Sequence, residues 1–337
     1  MNMRERFQAV VNFQSFDRLP VIEWANWWDQ TLERWRGEGL PPELTDRYAI
    51  GGHFGLDTLR QGRFRGMGPG CPPPASHNAG IVADTAAYEA VLPHLFPHPS
   101  VGDDEQWSVW AEEQRRGESV LWYNIDGFFW FPRTLFGIER HLYAFYDQPE
   151  LMLRMNADLA EYHLAVFDAV CAHAVPDFVC FAEDLSYNHG PMLSEKLFDK
   201  FLAPFYRRVV PHIKARGAKV FIDSDGQVES AIPWFEAVGI EGILPLERQS
   251  GVDVACIRAR HPRFLLLGAF DKMVMNQGEM AMRKEFERLL PVARQGGLVI
   301  GCDHQTPPGV SLADYQLYLR LFREYAERAG SESARRV

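Results

Sequence analysis

The 337-residue sequence lacks the features that indicate nucleic-acid binding, membrane insertion or secretion. Its formal net charge is −10, and its basic residues form only short pairs such as Arg335-Arg336, so we expect no nucleic-acid partner. No stretch approaches the roughly 20 apolar residues that cross a bilayer. Residues 1–19 lack the pattern of a secretory signal. We therefore expect a cytoplasmic protein with no membrane segment.

Cysteine and glycine patterns exclude other classes. The five cysteines are odd in number and form no C-x-x-C pair, which argues against a disulfide framework and a zinc ribbon. No G-x-G-x-x-G follows a predicted strand, which argues against a dinucleotide-binding sheet. The composition, 47% hydrophobic and 24% charged, is typical of a globular protein with a large core.

Short runs rich in Val, Ile, Leu and Phe alternate with longer segments of helical period, which is typical of βα units around a parallel sheet. Eight strands are predicted, at 19–24, 55–59, 119–126, 177–183, 218–222, 240–246, 263–267 and 296–300. This number predicts an α/β fold, a (βα)8 TIM barrel in a single domain over residues 1–330 with an N-terminal helical extension. An open doubly wound sheet is the alternative.

Three local features refine this prediction. Residues 61–80, rich in glycine and proline, predict a long loop or β-arm of the kind that often forms a lid. Ser194 followed by Glu195 predicts the start of a helix over 194–216. Residues 331–337 predict a frayed tail.

Polar clusters follow the predicted strands of the second half of the chain. In a barrel the carboxyl ends of the strands converge on one mouth, so these clusters predict a catalytic pocket. Taken singly, each is also explained as a turn or a helix cap. The clusters are Glu183 to Tyr187, Asp223 to Gly226, Glu247-Arg248, Asp271-Lys272 and Cys302-Asp303-His304.

His304 is the first catalytic candidate, because an imidazole titrates near neutrality and can give or take a proton. Asp184 and Asp225 are the next, since carboxylates gathered in one pocket have pKa values that are pushed apart. Aromatic side chains near the mouth suit a flat organic substrate or a large ring cofactor. The predicted substrate-binding residues are Trp24, Trp27, Tyr123, Phe128, Glu183, Tyr187, Glu247 and Arg248.

The C-terminal half resembles the uroporphyrinogen decarboxylase superfamily, which includes the decarboxylase and methyltransferases that serve corrinoid proteins. The matching segments are Phe221-Ile222-Asp223-Ser224-Asp225-Gly226, Gly268-Ala269-Phe270-Asp271, and Gly301-Cys302-Asp303-His304 continuing through Pro307-Pro308 to Ser311. The resemblance places His304 at the decarboxylase's late-strand histidine and adds Asp271, in the G-x-x-D turn, to the catalytic candidates. The decarboxylase's arginine-rich M-R-Q-A-G-R signature is replaced by E-W-A-N-W-W at 23–28, so the chain is a divergent member.

The methyltransferase branch of this superfamily holds zinc with a His-x-Cys pair and a cysteine on the last strand. Here Cys302 matches the last position, while Asp223-x-Asp225 stands in place of His-x-Cys. The resemblance implies a mixed-ligand metal site at Asp223, Asp225, Cys302 and His304, with zinc as the candidate metal. It also implies a corrinoid on a partner protein, and a homodimer.

Three functions are compatible with these residues. The first is a one-carbon transferase that moves a methyl group from a small organic donor to a corrinoid protein, with His304 and Asp184 handling protons. The second is a decarboxylase acting on a carboxylate other than uroporphyrinogen. It needs a cationic clamp, for which Arg63, Arg65, Arg133 and Arg248 are candidates. The third is a non-catalytic ligand-binding barrel.

Overall fold

The computed structural model describes residues 1–76, 78–98 and 104–333 of the chain, and within them it is an α/β protein. The strands are β1 Thr58–Phe64, β2 Ser119–Asp126, β3 Phe178–Ala182, β4 Ser186–Tyr187, β5 Gly190–Pro191, β6 Lys219–Asp223, β7 Gly242–Leu244, β8 Leu265–Phe270 and β9 Leu298–Cys302. The helices are α1 Met3–Val11, α2 Asp29–Gly37, α3 Arg47–His53, α4 Thr85–Val91, α5 Asp104–Arg115, α6 Trp130–Phe136, α7 Ile138–Asp147, α8 Pro149–Cys171, α9 Glu195–Phe201, α10 Ala203–Ala215, α11 Ile232–Ala237, α12 Val254–Arg260, α13 Glu279–Ala293 and α14 Leu312–Ser333.

The chain divides into two compact units. The first holds Met1–Arg60, Glu112–Val120 and the chain from Gly242 onward, and the second holds Gln61–Ala111 and Leu121–Glu241. In the second unit β2, β3 and β6 are parallel neighbours, and in the first β7, β8 and β9 are. Parallel strands need helical crossovers, which is the βα pattern that the sequence predicts. Closure into one (βα)8 barrel and a single domain over 1–330 stay predictions.

The central strands form where the sequence has continuous apolar runs. All eight residues of β2 and all six of β8 are buried, as expected for parallel strands covered on both faces. The predicted strand at 119–126 coincides with β2, and the five later predictions overlap β3, β6, β7, β8 and β9. The α/β class and the second-half strands are therefore confirmed.

Of the two strands predicted near the N-terminus, the one at 19–24 is wrong and the one at 55–59 is displaced toward the C-terminus. Residues 19–24 belong to no strand: the N–H of Val21 donates to Asp57 Oδ2 at 2.8 Å and its carbonyl accepts from the N–H of Asp57 at 2.9 Å, so Val21 pairs with one residue rather than with a strand. The strand predicted at 55–59 begins later, at Thr58, and continues to Phe64. Gly55, at φ 65°, lies in the left-handed region just after α3, where a strand cannot begin.

Other local predictions are confirmed or corrected. Ser194 caps a helix as expected, accepting a hydrogen bond from the N–H of Leu197 at 3.4 Å. The predicted helix at 194–216 is two helices, α9 and α10, because Pro204 has no N–H to continue the ladder and sits instead in the first turn of α10. Residues 61–64, predicted as part of a long loop or β-arm, belong to β1.

Residues 331–333 of the predicted frayed tail belong to a long helix. Helix α14 continues to Ser333, and the remainder of the predicted frayed tail, residues 334–337, lies outside the described residues. In the described part of the chain, no helix combines the length and the apolar character needed to span a membrane.

Candidate active site

Carboxylates line the C-terminal edge of the sheet in the second unit. In the strand register, Asp126 of β2 lies opposite Ala182 of β3, and Ala182 lies opposite Asp223 of β6. The N–H groups of Glu183 and Asp184 donate to the carbonyl of Asp223 at 2.8 and 3.1 Å, which fixes the end of β3 against β6. The main chain thus brings two of the predicted strand-end acids, Asp184 and Asp223, to the same edge.

Asp223 is the most perturbed carboxyl group of this edge. Burial first, and then the negative charges of Asp225 and Asp184, raise its pKa to about 8 against the positive charges of Arg65 and Arg63. A carboxyl group with this pKa carries a proton at neutral pH, so Asp223 can act as a proton donor. Asp223 was predicted only as a metal ligand, and its proton chemistry depends on neighbours that the strand pattern does not identify.

Asp184 is held in an unusual main-chain conformation. Its φ of 42° lies in the left-handed region, which is costly for a residue other than glycine and which is concentrated at functional sites. Arg133 holds it there, since Nη1 lies 3.1 Å from both the carbonyl oxygen and Oδ2 of Asp184. Arg133 also lies over the ring of Trp130, 5.0 Å from its centroid.

Arg63 of β1 and Arg65 of the loop that follows it bring positive charge to the carboxylates of the second unit. Arg65 Nη1 lies 2.7 Å from Asp126 Oδ1, and the N–H of Gly66 donates to the other oxygen of Asp126 at 2.8 Å. Arg63 and Arg65 both act on the pKa of Asp223. Asp126 was missed by sequence reasoning, although as the last residue of a correctly predicted strand it could have been included.

Glu183, predicted to bind substrate, instead binds main-chain N–H groups and a tyrosine hydroxyl. Its buried carboxylate accepts hydrogen bonds from the N–H groups of Phe128 at 2.9 Å, Phe129 at 2.6 Å and Trp130 at 3.1 Å, and from the hydroxyl of Tyr206. The N–H groups of 128–130 are those at the start of α6, which need acceptors from outside the helix. The carboxylate of Glu183 therefore anchors the loop after β2.

The other predicted substrate contacts of the second unit differ in exposure. Tyr123 and Phe128 are buried in the core, where Phe128 packs against Tyr206 with ring centroids 4.8 Å apart. Tyr187 is 51% exposed in the short β4–β5 hairpin. Gly226 allows that hairpin to approach, because a Cβ at this position would lie 2.7 Å from the main chain of Tyr187.

A cavity of about 360 Å³ opens beside Arg133 in the second unit. Its walls come from the loop after β1 and from the α6–α7 corner. The lining is mainly apolar and includes Met67, Ile81, Trp130, Arg133, Thr134 and Ile138. Part of this wall is the loop at 61–80 that the sequence singled out.

In the first unit the Cys302-Asp303-His304 segment ends β9. Asp303 is fully buried and accepts hydrogen bonds from the N–H groups of Arg248 at 3.0 Å and Lys272 at 3.1 Å. Lys272 Nζ lies 3.4 Å from Asp303 and 3.5 Å from Glu247. Burial raises the pKa of Asp303 to about 6, and the charge of Lys272 opposes this shift.

His304 is half-buried and packs edge-on against Trp24, with ring centroids 6.4 Å apart. Burial and the positive charge of Lys272 lower its pKa, so the imidazole is neutral at pH 7 and can accept a proton. Asp271, in contrast, has a turn function, because its Oδ1 accepts a hydrogen bond from the N–H of Met273 at 2.9 Å.

Glu23, at the position of the missing arginine signature, is a buried acid that sequence reasoning did not select. Its Oε2 accepts a hydrogen bond from the N–H of Cys302 at 3.3 Å, and burial raises its pKa to about 7. The neighbouring Trp24 donates from Nε1 to the carbonyl of Cys302 at 2.7 Å. Trp27 packs into an aromatic core with Trp35 and Tyr315, among the described side chains.

The side chains of the described residues give no support to the predicted mixed-ligand metal site at Asp223, Asp225, Cys302 and His304. Burial raises the pKa of the Cys302 thiol, which disfavours the thiolate that zinc binds. Over residues 1–76, 78–98 and 104–333, no three His, Cys, Asp or Glu side chains are grouped to hold a metal.

Comparison with known families identifies the chain. Residues 133–325, more than half of the sequence, match the family model of uroporphyrinogen decarboxylase (URO-D). The chain therefore belongs to the URO-D family, which confirms the resemblance predicted from its strand-end motifs. A comparison with curated protein sequences gives no match.

Two solved structures are similar to the chain at low sequence identity, and the first of them shares its fold. A methyltransferase from Methanosarcina mazei superposes with a TM-score of 0.62 at 15% identity, covering 96% of this chain and 98% of that one. A protein assigned as a vitamin-B12-independent methionine synthase from Listeria monocytogenes gives a TM-score of 0.45 at 12% identity, covering 93% and 96% of the two chains. At such identities the likeness concerns the fold alone.

Proposed function

We propose that this protein is a one-carbon transferase that moves a methyl group from a small organic donor to a corrinoid protein. Family membership leaves decarboxylation and methyl transfer as candidates. The observation that favours methyl transfer is Glu23, a buried acid in the segment where the decarboxylase carries its arginines. An acid there cannot hold the carboxylates of a porphyrinogen, and the fold shared with the methyltransferase is compatible with the other branch.

The chemistry of this proposal centres on the carboxyl group of Asp223. Transfer breaks the bond between the methyl carbon and its oxygen or nitrogen, and the departing group needs a proton. A reduced corrinoid supplies the nucleophile that accepts the methyl group. Asp223 gives its proton to the departing oxygen or nitrogen and becomes a carboxylate, which Arg65 and Arg63 stabilise by charge. Solvent then returns the proton.

Other residues have supporting roles in the proposal. Asp184, locked by Arg133, keeps a second negative charge near Asp223 and so favours its protonated form. His304 is proposed as a proton acceptor in the first unit, on the basis of its lowered pKa. No step requires zinc, because the predicted donor set does not form a metal-binding group among the described residues.

A decarboxylase acting on a different carboxylate is the second candidate. It is favoured by the position of Arg63 and Arg65 near Asp223 and of Arg133 beside Asp184, since a decarboxylase needs cations to hold its substrate. Of the four arginines considered as a clamp, Arg248 differs, because its Nη1 donates to the carbonyl of Val252 at 3.1 Å.

The test uses reduced free cobalamin as the acceptor and anisole, 4-methoxybenzoate, methanol and trimethylamine as donors. Mass spectrometry follows methylcobalamin, and trapped CO2 is measured in parallel. We expect methylcobalamin with at least one donor, and a loss of about 10²-fold in kcat for Asp223→Asn, the lower end of the general-acid range.

The matched control is Asp168→Asn, at an exposed position of α8 in the same unit, where the Asp168 side chain pairs with His212 at 2.9 Å. This variant should keep wild-type activity. Methyl transfer that is unaffected by Asp223→Asn would contradict the role of Asp223. CO2 release without methylcobalamin would replace the transferase by the decarboxylase.

A further inference from the structure

The cavity beside Arg133 is built by two segments that touch closely. The N–H groups of Ile81 and Val82 donate to the carbonyl of Leu135 at 2.7 and 2.9 Å, which joins the loop after β1 to α6. Gly80 and Gly137 make this approach feasible, since a Cβ at Gly137 would lie 2.6 Å from the carbonyl oxygen of Asn78. The cavity is therefore a pre-formed feature with hydrogen-bonded walls, as ligand pockets usually are.

The lining combines an apolar surface with one charge. Among the described residues, Arg133 is the only charged side chain in the lining, while Met67, Ile81 and Ile138 are apolar. The hydroxyl of Thr134 is already used, because it donates to the carbonyl of Phe131 at 2.7 Å. A ligand of this cavity meets hydrophobic contacts over most of its surface and a cation at one end.

Asp184 uses only some of the N–H donors of the Arg133 guanidinium. Its hydrogen bonds to Asp184 run through Nη1, so Nε and Nη2 keep N–H groups on the other edge of the guanidinium. Two parallel N–H donors match the two oxygens of a carboxylate, a geometry that strengthens binding in an apolar setting. Trp130 stacks under the same guanidinium and presents a flat aromatic surface to the cavity.

We propose that this cavity binds a planar aromatic carboxylate of about the size of benzoate, with its carboxylate on Arg133 and its ring between Trp130 and the apolar wall. Arg133 repels a cationic ligand, and a small inorganic anion makes no contact with most of the apolar lining. The proposal deepens the proposed function, on which it rests for the claim that this ligand is the methyl donor or its demethylated product. Binding itself does not depend on that claim.

The experiment measures binding of benzoate to the full-length protein by isothermal titration calorimetry. Benzamide keeps the ring and loses the charge, cyclohexanecarboxylate keeps the charge and loses the planar ring, and benzylamine reverses the charge. We expect saturable binding of benzoate at a Kd at least tenfold below that of each of the other three, a ratio that corresponds to about 1.4 kcal/mol.

Two variants test the cavity from opposite walls. Arg133→Gln removes the charge, and we expect the Kd for benzoate to rise at least tenfold. Ala79→Phe fills the cavity from the loop side and leaves Arg133 in place, and it should abolish binding. The matched control is Arg140→Gln on α7, which loses the same charge outside the lining and should bind benzoate as the wild type does.

The outcomes separate this inference from the proposed function. Benzoate that fails to bind, that binds no better than benzamide, or that binds Arg133→Gln and Ala79→Phe as it binds the wild type overturns the inference. Benzoate binding that depends on Arg133, in a protein that transfers no methyl group from any donor, supports the site and refutes the transferase. Methyl transfer that is unchanged in Arg133→Gln supports the transferase and refutes the claim that the ligand of this cavity is the methyl donor or its demethylated product.

Discussion

Replacing Glu183 by alanine should destabilise the protein strongly without touching any ligand. The carboxylate accepts hydrogen bonds from the N–H groups of Phe128, Phe129 and Trp130 and from the hydroxyl of Tyr206. Phe128, Phe129 and Tyr206 are fully buried, so water cannot replace the lost acceptor. The substitution therefore leaves several buried donors unsatisfied at the start of α6.

The size of the effect follows from these donors. A buried polar group left without a partner costs about 1–3 kcal/mol, and removal of one member of a buried charged network typically costs about 3–5 kcal/mol. We expect Glu183→Ala to lower the free energy of unfolding by about 4 kcal/mol. Tyr206→Phe removes one of the four donors and leaves the carboxylate with three, so it should cost only about 1 kcal/mol.

Urea unfolding followed by circular dichroism measures both values, with comparison at unchanged m. Glu183→Gln serves as the milder variant, because it keeps one acceptor oxygen and should lie between the other two. If Glu183→Ala unfolded within 1 kcal/mol of the wild type, at about the cost of Tyr206→Phe, the claim that this carboxylate anchors the loop after β2 would be refuted.

The same residue predicts a pH dependence. Burial raises the pKa of Glu183 to about 7 in the folded protein, against the opposing effect of its hydrogen bonds. Because the folded pKa is raised, its contribution to stability is fully present below the unfolded carboxyl pKa of about 4.3 and is lost as pH rises through 7. The difference in stability between the wild type and Glu183→Gln should change by about 4 kcal/mol across this window. A constant difference would contradict the shift.

Two further predictions concern packing and charge. Gly80→Ala should lower the free energy of unfolding by more than about 2 kcal/mol, the order of magnitude of forced overpacking, because its Cβ would overlap the carbonyl of Phe136. Gly37→Ala, with open space around it, should be neutral or slightly stabilising in a thermal unfolding assay. Equal effects of the two substitutions would contradict the close approach at Gly80. Lys272→Met should lower the free energy of unfolding by about 3 kcal/mol, because it leaves the buried carboxylate of Asp303 without its cation. Adding Asp303→Asn should recover part of that lost stability. Strict additivity of the two changes in urea unfolding would show that the pair is not coupled.

Sequence reasoning succeeded where the signal is local. The continuous apolar runs at 119–126 and in the second half gave strands in the right places, because a buried parallel strand needs apolar residues on both faces. It failed at 19–24, another apolar run, because a strand also needs a partner strand, and the N–H and the carbonyl of Val21 both bond to the one residue Asp57. The apolar pattern does not reveal which main-chain groups already have partners.

For the candidate site, too, the sequence was sufficient for local motifs and insufficient for the roles of individual residues. The motifs around Asp223, Asp271 and Cys302 were enough to identify the URO-D family, since they lie in short contiguous segments. They could not assign roles. Asp271 caps its own turn, and Cys302 ends a strand with its thiol buried, while Asp126 and Glu23 take part in the strand-end networks without having been selected.

The sequence alone determined the α/β class, the second-half strands and the family, because each depends on residues close together in the chain. Only the tertiary structure decided which role each of the acidic side chains has. Glu183 and Asp184 are adjacent in sequence, yet the first meets the N–H groups of 128–130 and the second meets Arg133. Those partners come from more than 50 residues away, and a carboxylate's role follows from the donors that the folded chain brings to it.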